Sequence, residues 1–484
     1  MRDEIFSLAL STVIFSGAGC NGPNPSFDDA GPDAAVDDGS SPPTELDSSL
    51  IPPDSGPTGC SNPECRQVDC QAKSAPTTTI SGVVYDPAGQ RPLYDVFVYV
   101  PNATPEPIPA GNVSCSQCQA SASGSPLVSA TTDASGAFVL QNAPAGDDIP
   151  LVMQVGKWRR QVTIPHVTAC TDNPQTDKNQ MRLPSKTSEG DMPLIAFTTG
   201  GCDIAECFLR RIGIDDSEFV APGSATGHIH VYAGQGGSNV TGGNTWQDTY
   251  QWWTDSKRLL QYDIVFDACD CAPYDRNQAG GSGDAYAAMH AYLNGGGRLF
   301  ATHFYYNWFT PGTGPADFQG VANWCVGASL GGTCGTGVGG VSSYFVDTTF
   351  PKGKAFGDWL QAEGVTSTPG VIALDETQAD LTNDVSTVNA GATRWIYQAA
   401  ARNDPSYLSK YLTFNTPVGS QPDQQCGRAV FSEFHLSDFS NGAAFPAECT
   451  TAGPHTNNEA ALEFLFFDLS SCVQDDSQPP QPPK

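Results

Sequence analysis

His303 is the residue whose place in the sequence points most clearly to chemistry. Residues 284–309 predict a helix, a turn at three consecutive glycines, a short buried strand and an exposed loop, and His303 falls where the strand ends. Ligands of open parallel sheets bind just outside the carboxyl ends of the strands. An imidazole at such a position can serve as a general base near neutral pH or as a metal ligand.

The elements that would position His303 alternate between strands and helices from residue 192 onward. Buried apolar runs at 193–201, 228–233 and 262–268 predict strands, and residues 203–212 and 246–261 have helical spacing. Strands that alternate with helices imply right-handed βαβ units and a parallel sheet. Further elements are predicted at 356–363, 371–374, 393–398 and 428–434, with a final helix at 458–472.

An all-β segment precedes this region. Residues 80–86 and 94–100 alternate between apolar and polar side chains, and the stretches 129–146 and 151–164 add more strands separated by turn residues. This pattern is typical of a small β-sandwich. The predicted fold is therefore multidomain, with a small all-β sandwich followed by an α/β domain whose sheet is mostly parallel.

Composition excludes some partners and suggests a compartment. The 484 residues carry a formal net charge of -29, which argues against nucleic acid and against an anionic membrane surface as partners. With 16 cysteines and few basic residues, the chain suits an oxidising compartment, and we expect disulfides rather than zinc sites. Cys115 and Cys118 form the single C-x-x-C, which has no βα unit behind it and predicts a loop staple rather than a redox motif.

Cysteine spacing gives hints about pairing but does not fix it. The hints are that Cys325 and Cys334 flank one glycine-rich loop, Cys426 and Cys449 flank another, Cys202 and Cys207 can pair locally or with Cys269 or Cys271, and Cys60, Cys65 and Cys70 form a small knot. Without Cys20 the number of cysteines is odd, so at least one thiol is free or pairs between chains.

The N-terminus has the pattern of an export signal. An apolar run at 6–15 is followed by Ser-Gly-Ala-Gly and Cys20, which resembles a bacterial lipobox. The resemblance implies cleavage before Cys20 and lipidation of its sulfur, and an ordinary secretory signal peptide is the alternative. The expected location is the cell envelope, with a lipid anchor in the outer membrane or at the cell surface, or the exterior if Cys20 carries no lipid.

The strand-rich segment resembles a known family. SGVVYDPAGQRPLYDVFVYV and TTDASGAFVLQNAPAG are similar to the carboxypeptidase regulatory-like (transthyretin-like) domain, over most of residues 80–164. The resemblance implies a structural or adhesive role, sometimes related to sugars, and no catalysis. An insertion at 101–127 departs from the family pattern.

The second half resembles the trehalose-utilisation (ThuA-like) family of the class I glutamine-amidotransferase-like, flavodoxin-like group. YDIVFDA, AYLNGGGRLFATHF and GRAVFSEFHLSD carry the resemblance, which covers roughly 193–472 and implies a flavodoxin-like α/β domain. The last two segments each end a strand in histidine in that family, which implies site roles for His303 and His435. Relatives in the larger group place a nucleophilic cysteine at a strand-to-helix turn, but that turn here is Thr302-His303-Phe304, so a thiol nucleophile is not expected at the turn.

These inferences lead to a hypothesis of a polar pocket above the sheet. His303 and His435 would act as catalytic or binding groups, a metal ion between them being a further option. Asp267 and either His228 or His230 would stand beside them.

Aromatic residues would complete the pocket in this hypothesis. Tyr305, Tyr306 and Trp308 would offer apolar faces to a sugar ring. The structural alternative is that His303 and His435 are hydrogen-bonded scaffold residues, the aromatics pack in the core, and His228 and His230 share one strand face at the edge of the core.

The expected organisation and function follow from these points. The predicted segments are a signal peptide with lipobox at 1–20, a disordered acidic linker with a cysteine-rich end at 21–75, the β-sandwich at 76–165, a connector at 166–191, the ThuA-like domain at 192–475 and a disordered tail at 476–484. We expect a lipid-anchored envelope protein that binds a ligand, carbohydrate in particular, or is displayed at the surface. A sugar-active enzyme using the strand-end histidines and a purely structural surface protein are the alternatives.

Overall fold

The structure is a computed structural model that describes residues 61–115, 118, 122–240, 246–277, 283–326, 334, 343–374, 384–436, 443–449 and 455–480. These residues belong to one compact unit. The predicted signal peptide, Cys20 and the acidic linker as far as residue 60 lie outside the described residues. In the part that is described, no helix has both the length and the apolar character needed to cross a bilayer.

The first folded region is rich in strands, as the alternating sequence predicts. Its strands are β1 Thr79–Val83, β2 Phe97–Pro101, β3 Pro126–Thr131, β4 Ala137–Gln141, β5 Gly146–Val155, β6 Trp158–Val167 and β7 Asp172–Gln175. They form a three-stranded sheet with the order β4-β1-β7 and a four-stranded sheet with the order β3-β2-β5-β6. In β4 the buried Phe138 and Leu140 alternate with the exposed Val139, which is the reason for the period-two pattern.

A large mixed sheet forms the centre of the region that follows. The remaining strands are β8 Ile195–Thr199, β9 Phe219–Val220, β10 Ile229–Ala233, β11 Ile264–Asp267, β12 Arg298–Thr302, β13 Ala322–Trp324, β14 Ser343–Val346, β15 Val371–Ile372, β16 Val385–Val388, β17 Ala392–Ala399, β18 Tyr407–Thr416 and β19 Gly427–Ser432. The large sheet has the order β15-β14-β17-β18-β19-β12-β11-β8-β10-β9, and β13 pairs with β16 separately.

Two kinds of strand pairing meet in the large sheet. From β19 to β9 every pairing is parallel, whereas β18, β17, β14 and β15 extend the sheet in antiparallel fashion. The sheet is therefore mixed, with a parallel half that contains every strand-end position considered in the sequence. The antiparallel half is an addition to the predicted βαβ pattern.

The α-helices of the described residues all lie in the α/β region, between its strands along the chain or after the last of them. They are α1 Ala205–Arg211, α2 Trp246–Trp253, α3 Ser256–Leu259, α4 Ala285–Asn294, α5 Ala316–Gln319, α6 Pro351–Ala362 and α7 Asn457–Ser470. The single helix predicted at 246–261 is two helices, because the Asp255 side chain accepts a hydrogen bond from the Lys257 backbone N–H and starts α3 as its N-cap. Helix α4 begins in the same way at Asp284.

Helix α7 joins the strand-rich region to the α/β region in one apolar core. Its Phe464 stacks on Tyr94, with ring centroids 5.5 Å apart, and its Phe467 contacts Trp158 at 6.0 Å. Phe466 of the same helix contacts Phe266 of β11 at 6.3 Å. Apolar residues of the strand-rich region and of the α/β region therefore form one continuous core, with α7 at its centre.

Most of the disulfides among the described residues connect segments that are distant in the sequence. The bonds among the described residues are Cys70–Cys170, Cys115–Cys426, Cys118–Cys472, Cys202–Cys271, Cys207–Cys449 and Cys325–Cys334. Disulfide formation itself is confirmed, and two of the suggested pairs form. The suggested Cys426–Cys449 pairing and a purely local knot at Cys70 are wrong, because spacing along the chain says nothing about distance in the fold.

The insertion at 101–127 is held against the α/β region by its two cysteines and by polar contacts. Cys115 and Cys118 bond to Cys426 and Cys472 and not to each other. The Gly111 backbone N–H donates to Asp263 at 2.7 Å, a carboxylate that also receives the Lys157 ammonium at 2.5 Å. The insertion therefore acts as a strap between the two regions.

Candidate functional site

The register of the parallel strands brings three functional side chains to one edge of the sheet. Asp267 of β11 pairs with Ala301 of β12, and Thr302 of β12 pairs with Ser432 of β19. Continuing these registers past the strand ends sets Cys269 beside His303 and sets His303 close to the segment that carries His435. The three residues lie at the carboxyl edge, where ligands of parallel sheets bind.

His303 occupies a sharp turn between strand and helix. Its φ is 35°, in the left-handed region that non-glycine residues rarely adopt, and a 3₁₀-helix His303–Trp308 starts at this residue. Holding a side chain there costs on the order of 1–3 kcal/mol, and such residues concentrate at functional sites. The turn directs the imidazole into the interior, where it is fully buried.

One nitrogen of His303 faces two other potential ligands. Its Nδ1 lies 3.0 Å from Nε2 of His435 and 3.5 Å from Sγ of Cys269. The ligand atoms of these three residues all lie within 4.8 Å of one another. Cys269 and His303 are fully buried, and His435 is 7% exposed.

Cys269 carries the free thiol that the odd number of cysteines predicts. It is the free cysteine among the described residues, whereas its neighbour Cys271 is bonded to Cys202. Burial raises the pKa of the Cys269 thiol far above its usual range, and the carboxylates of Asp203 and Asp270 act in the same direction. A bare thiolate is therefore disfavoured, and a nearby cation would be needed to stabilise one.

The other nitrogen of His303 faces a buried carboxylate. Oδ2 of Asp384 lies 3.4 Å from Nε2 of His303, and both side chains are fully buried. Neither carboxylate oxygen of Asp384 accepts a hydrogen bond from the residues that the structure describes. A carboxylate that accepts the Nε2 proton of an imidazole leaves Nδ1 to bind a metal ion, and a small closure of the 3.4 Å separation would form that hydrogen bond.

Glu433 fastens the Asp384 segment to the strand that leads to His435. Its Oε1 accepts hydrogen bonds from the backbone N–H groups of Asp384 at 2.8 Å and Val385 at 2.7 Å. Burial raises the pKa of Glu433 well above its usual range; Lys410 opposes this shift and Asp384 adds to it. One side chain thus sets the position of two segments of the site.

Asp267 lies in the core at the end of β11 and is tied to the aromatic residues predicted to form the pocket. It is fully buried and accepts hydrogen bonds from Thr198 Oγ1 at 2.8 Å and Trp308 Nε1 at 2.9 Å. Burial raises its pKa to about 7. Its carboxylate oxygens are therefore occupied by neighbours from the scaffold.

The aromatic residues expected to offer faces to a sugar pack in the core. Tyr305 and Trp308 are 0% and 1% exposed, and both contact Trp253. Tyr306 is also buried. The turn at His303 directs this run of aromatics inward, so the structure does not present them to a ligand at the surface.

His228 and His230 lie at the opposite edge of the sheet from His303. The strand registers put His230 at the level of Leu299 in β12. His303 comes four residues later, which is roughly 13 Å farther along the strands. Its Nδ1 hydrogen-bonds the Tyr262 hydroxyl at 2.9 Å, and burial lowers its pKa to about 4. His228 is half-buried and contacts the Met192 carbonyl. Neither residue joins the strand-end histidines.

Sequence reasoning missed Cys269, Asp384 and Glu433 as site residues. Cys269 was detectable, because it directly follows the predicted strand 262–268 and an odd number of cysteines leaves at least one thiol without a partner in the same chain. Glu433 lies within the segment GRAVFSEFHLSD, but nothing in the sequence relates it to residue 384. Asp384 follows a long polar stretch that has no periodic pattern, so its placement depends on tertiary contacts alone.

The separations fit the ligand set of a tetrahedral metal ion. With bond lengths of about 2.05 Å to nitrogen and 2.3 Å to sulfur, two ligand nitrogens stand about 3.3 Å apart and sulfur about 3.6 Å from nitrogen. The corresponding distances from His303 Nδ1 are 3.0 and 3.5 Å. One thiolate and two imidazoles suit zinc and copper ions and leave a fourth position for water or a substrate atom.

Comparisons with known proteins give distant likenesses. No protein-family model and no curated protein matches this chain. A putative ThuA-like protein from Bacteroides uniformis aligns with 56% of this chain and 89% of its own, at 9% identity and a TM-score of 0.26. Two mutant type II cohesin–X-dockerin complexes from Acetivibrio cellulolyticus align with 26% and 28% of this chain and with 76% and 85% of their own, each at 16% identity and a TM-score of 0.16. The first likeness is partial and fits the ThuA-like resemblance only loosely, and no functional conclusion rests on any of them.

Proposed function

We propose that this is a cell-envelope protein whose α/β region binds a transition-metal ion through Cys269, His303 and His435. The observation that supports it is the cluster of three ligand atoms within 4.8 Å, with Asp384 behind the central imidazole. A thiolate that burial alone disfavours becomes stable when a cation binds it. Zn²⁺ or Cu⁺ is the ion that this mixture of sulfur and nitrogen donors would select.

A metal ion accounts for the arrangement better than a thiol nucleophile does. Cys269, His303 and Asp384 also form a thiol–imidazole–carboxylate series, as a nucleophilic cysteine would require. However, His435 occupies the same nitrogen of His303 at the shorter distance of 3.0 Å. A base cannot be engaged by a second imidazole and accept the thiol proton at once, whereas a metal ion binds all three groups.

Metal content and a thiolate-specific signal test this proposal. Protein purified without chelators should contain about one equivalent of metal by elemental analysis, and Co²⁺ loading should give a sulfur-to-cobalt charge-transfer absorption. Cys269→Ser should remove that absorption, and His435→Gln should lower metal content. The control is His290→Gln, which changes a histidine paired with Asp317 on a helix. A wild-type protein that contains no metal as purified and shows no sulfur-to-cobalt absorption would show the proposal to be wrong.

The alternative of a sugar-active enzyme takes the form of metal-assisted chemistry. It would occur at the fourth coordination position of the ion. In that version Cys269, His303 and His435 would hold the ion, which would supply a water molecule of lowered pKa at the position left open. His303 and His435 are then ligands rather than general bases, because their facing nitrogens are directed at each other. Hydrolysis of sugar substrates that stops on chelation and returns with Zn²⁺ would support this version.

Carbohydrate binding has a second candidate location. An open cavity of about 820 Å³ lies against β17 and β18, with Asp347, Arg394, Asn403, Tyr407 and Asn415 among its lining residues. The Arg394 guanidinium stands 4.1 Å from the Tyr407 ring centroid and donates to Asp347 at 2.7 Å, so it is held in place before any ligand arrives. Fixed polar groups beside an aromatic ring suit a neutral, hydroxyl-rich ligand.

Thermal-shift assays with neutral oligosaccharides separate this cavity from the strand-end site. Tyr407→Ala should abolish a sugar-dependent rise in Tm that the wild type shows, and His435→Gln should keep it. The opposite result would return the sugar to the strand ends. No rise in the wild type with any sugar would remove carbohydrate binding from the proposal.

The envelope location is supported by the disulfides and by the signal pattern before Cys20. Six disulfides among the described residues are consistent with a secreted or extracellular protein. Lipidation at Cys20 would add an anchor, and the acidic linker would hold the folded part away from the membrane. Fractionation of cells that express Cys20→Ala tests this, because loss of lipidation should move the protein from the membrane to the soluble fraction.

A further inference from the structure

A disulfide lies directly beside the thiol of the strand-end site. Cys271, two residues after Cys269, is bonded to Cys202, which follows the end of β8. Cys271 is exposed and Cys202 is half-buried, whereas Cys269 is fully buried. A reductant in solution can therefore reach the bond without entering the interior in which the proposed metal ligand lies.

The bonded segments fix the backbone around Cys269. The Cys202 backbone N–H donates to the Cys269 carbonyl at 3.0 Å. A side chain at Gly200 would collide with the carbonyls of Ala268 and Cys269, so the two segments pack backbone against backbone. The disulfide closes this pair of segments into a short covalent frame around the residue that carries the thiol.

Cys271 also acts on the thiol through its own backbone. Burial has the largest effect on the pKa of the Cys269 thiol and raises it, and hydrogen bonds from the backbone N–H groups of Phe304 and Cys271 oppose that effect. The φ of Cys271 is 67°, in the left-handed region that a non-glycine residue keeps only when its surroundings impose it. The bond to Cys202 is one such constraint. Without it, we expect residue 271 to relax and to withdraw its N–H from the sulfur.

We propose that the Cys202–Cys271 disulfide is a redox switch for metal binding at Cys269, His303 and His435, an inference that rests on the proposed function. With the bond closed, the thiol is held toward the two imidazoles. A dithiol opens it when one of its thiolates attacks a sulfur of the bond and forms a mixed disulfide, which the second thiol then resolves. The dithiol gives up two electrons and two protons and becomes a disulfide, and Cys202 and Cys271 become thiols.

The switch couples metal loading to the compartment. Inside the cell the chain meets a reducing environment, in which protein disulfides are rare. There the frame around Cys269 is open and the affinity for Zn²⁺ or Cu⁺ is low. The bond closes after export, so the ion is acquired in the oxidising compartment.

Polar contacts of Asp270 offer the opposing explanation for the position of Cys269. Asp270 is buried, pairs with Arg276 at 2.5 Å and accepts a hydrogen bond from the Gln235 backbone N–H at 3.0 Å. If these contacts alone hold the segment, opening the disulfide leaves the metal affinity unchanged. The two explanations therefore predict different affinities once the bond is removed.

The zinc affinity of the full chain with and without this disulfide tests the proposal. Cys202→Ser combined with Cys271→Ser should raise the apparent Kd for Zn²⁺, measured by competition with a chromophoric chelator, by about 10- to 100-fold. The matched control is Cys115→Ser combined with Cys426→Ser. It removes a bond that also has one exposed and one half-buried cysteine, but that lies at the start of β19, at the opposite edge of the sheet. Its Kd should match that of the wild type.

Reduction and reoxidation of the wild type repeat the test without a substitution. Treatment with tris(carboxyethyl)phosphine, followed by its removal, should raise the Kd as the substitutions at Cys202 and Cys271 do, and reoxidation should restore it. Alkylation and peptide mapping identify the bonds that were opened.

Two results would overturn the switch but leave the metal site in place. They are an unchanged zinc affinity when Cys202 and Cys271 are replaced, and an equal loss of affinity in the control variant. An oxidised wild-type protein without the sulfur-to-cobalt absorption would overturn the metal site and the switch together.

Discussion

The buried carboxylate of Asp384 is the side chain whose role in the site depends most on the presence of an ion. It faces the Nε2 nitrogen of His303 at 3.4 Å and accepts no hydrogen bond in the described structure. Without a cation on the far side of the imidazole, this arrangement leaves a negative charge in the interior with weak compensation. With a cation, the imidazole transmits positive charge toward the carboxylate, and the two partners stabilise each other.

Asp384→Asn should therefore weaken metal binding without weakening the metal-free fold. We expect the apparent Kd for Zn²⁺, measured by competition with a chromophoric chelator, to rise about 10- to 100-fold. The Tm of the metal-free variant should stay unchanged or rise, because a buried charge has been removed. Asp358→Asn, at an exposed residue paired with Lys354, is the control. Equal Zn²⁺ affinity in variant and wild type would contradict a role of Asp384 behind the imidazole.

Part of the site was predictable at the level of single residues. His303 and His435 end strands that sequence patterns identify, and the parallel register brings them within 3.0 Å of each other. Cys269, the proposed metal ligand that follows β11, could be predicted only by combining the odd number of cysteines with its position after a strand. Asp384 was out of reach, because a residue that approaches from another loop leaves no periodic signal in the sequence.

At the level of elements, β18 is the long strand of the antiparallel half that no sequence pattern indicated. It is ten residues long and lies between β17 and β19, with nine of its residues buried. Its sequence YLSKYLTFNT includes Ser409, Lys410 and Thr413, which are buried and break the apolar pattern of a central strand. Partners from the fold satisfy some of these groups, as when Trp395 donates to Thr413 at 2.9 Å. A propensity argument cannot anticipate such partners.

Helix α7 should control the stability of both regions at once. Phe466 is fully buried and contacts Trp158, Phe208 and Phe266, which come from β6, α1 and β11. Phe466→Ala should lower the free energy of unfolding by about 3–5 kcal/mol, as truncation of a buried phenylalanine usually does. Denaturant unfolding followed by far-UV circular dichroism should show one transition, shifted as a whole.

Val139→Ala provides the matched control for that experiment. Val139 lies on β4 and is 48% exposed, so its truncation should change stability by less than about 0.5 kcal/mol. Two separate transitions in the Phe466→Ala protein, with only one of them shifted, would contradict a shared core. That result would mean that the strand-rich region and the α/β region unfold independently.

A buried acidic pair between α7 and the strand-rich region should make stability fall as pH rises. Burial raises the pKa of Asp86 to about 6, and burial and the nearby Asp86 carboxyl raise the pKa of Glu463 well above its usual range. The unfolded carboxyl groups lose their protons near pH 4, whereas folded Asp86 keeps its proton until about pH 6. Unfolding therefore releases protons across this window, and the stabilising contribution is complete below it and lost above it.

The measurement is the free energy of unfolding between pH 4 and pH 8. The Glu463→Gln variant gives the pH dependence that comes from other groups. Beyond it, we expect the free energy of unfolding of the wild type to decrease by about 1–3 kcal/mol from pH 4 to pH 8. Glu463→Gln removes one of the two groups whose pKa is raised, so the decrease should become smaller. An identical pH profile for wild type and variant would show that the pair does not titrate in this way.

At the scale of the whole molecule, two disulfides close very long loops of the chain. Cys115–Cys426 and Cys118–Cys472 span 311 and 354 residues and hold the insertion of the strand-rich region against the last strands and α7. A cross-link stabilises mainly by restricting the unfolded chain, and the effect grows with the logarithm of the loop length. Because the two bonds lie three residues apart at one end, the second restricts a chain that the first has already closed.

Removal of both cross-links should cost somewhat more than the sum of the two single removals. Cys115→Ser and Cys118→Ser should each lower the free energy of unfolding by about 2–4 kcal/mol, because with one bond intact the other still closes a loop of about 50 residues. The double variant should lose about 1 kcal/mol more than the sum of the single variants, because loss of the last bond opens the full long loop. Urea unfolding under non-reducing conditions measures all three, and the short-range bond Cys325–Cys334, nine residues apart, is the control to remove. Equal and additive losses would mean that each bond acts through local packing, and the strap formed by the insertion would then be incidental to the stability of the fold.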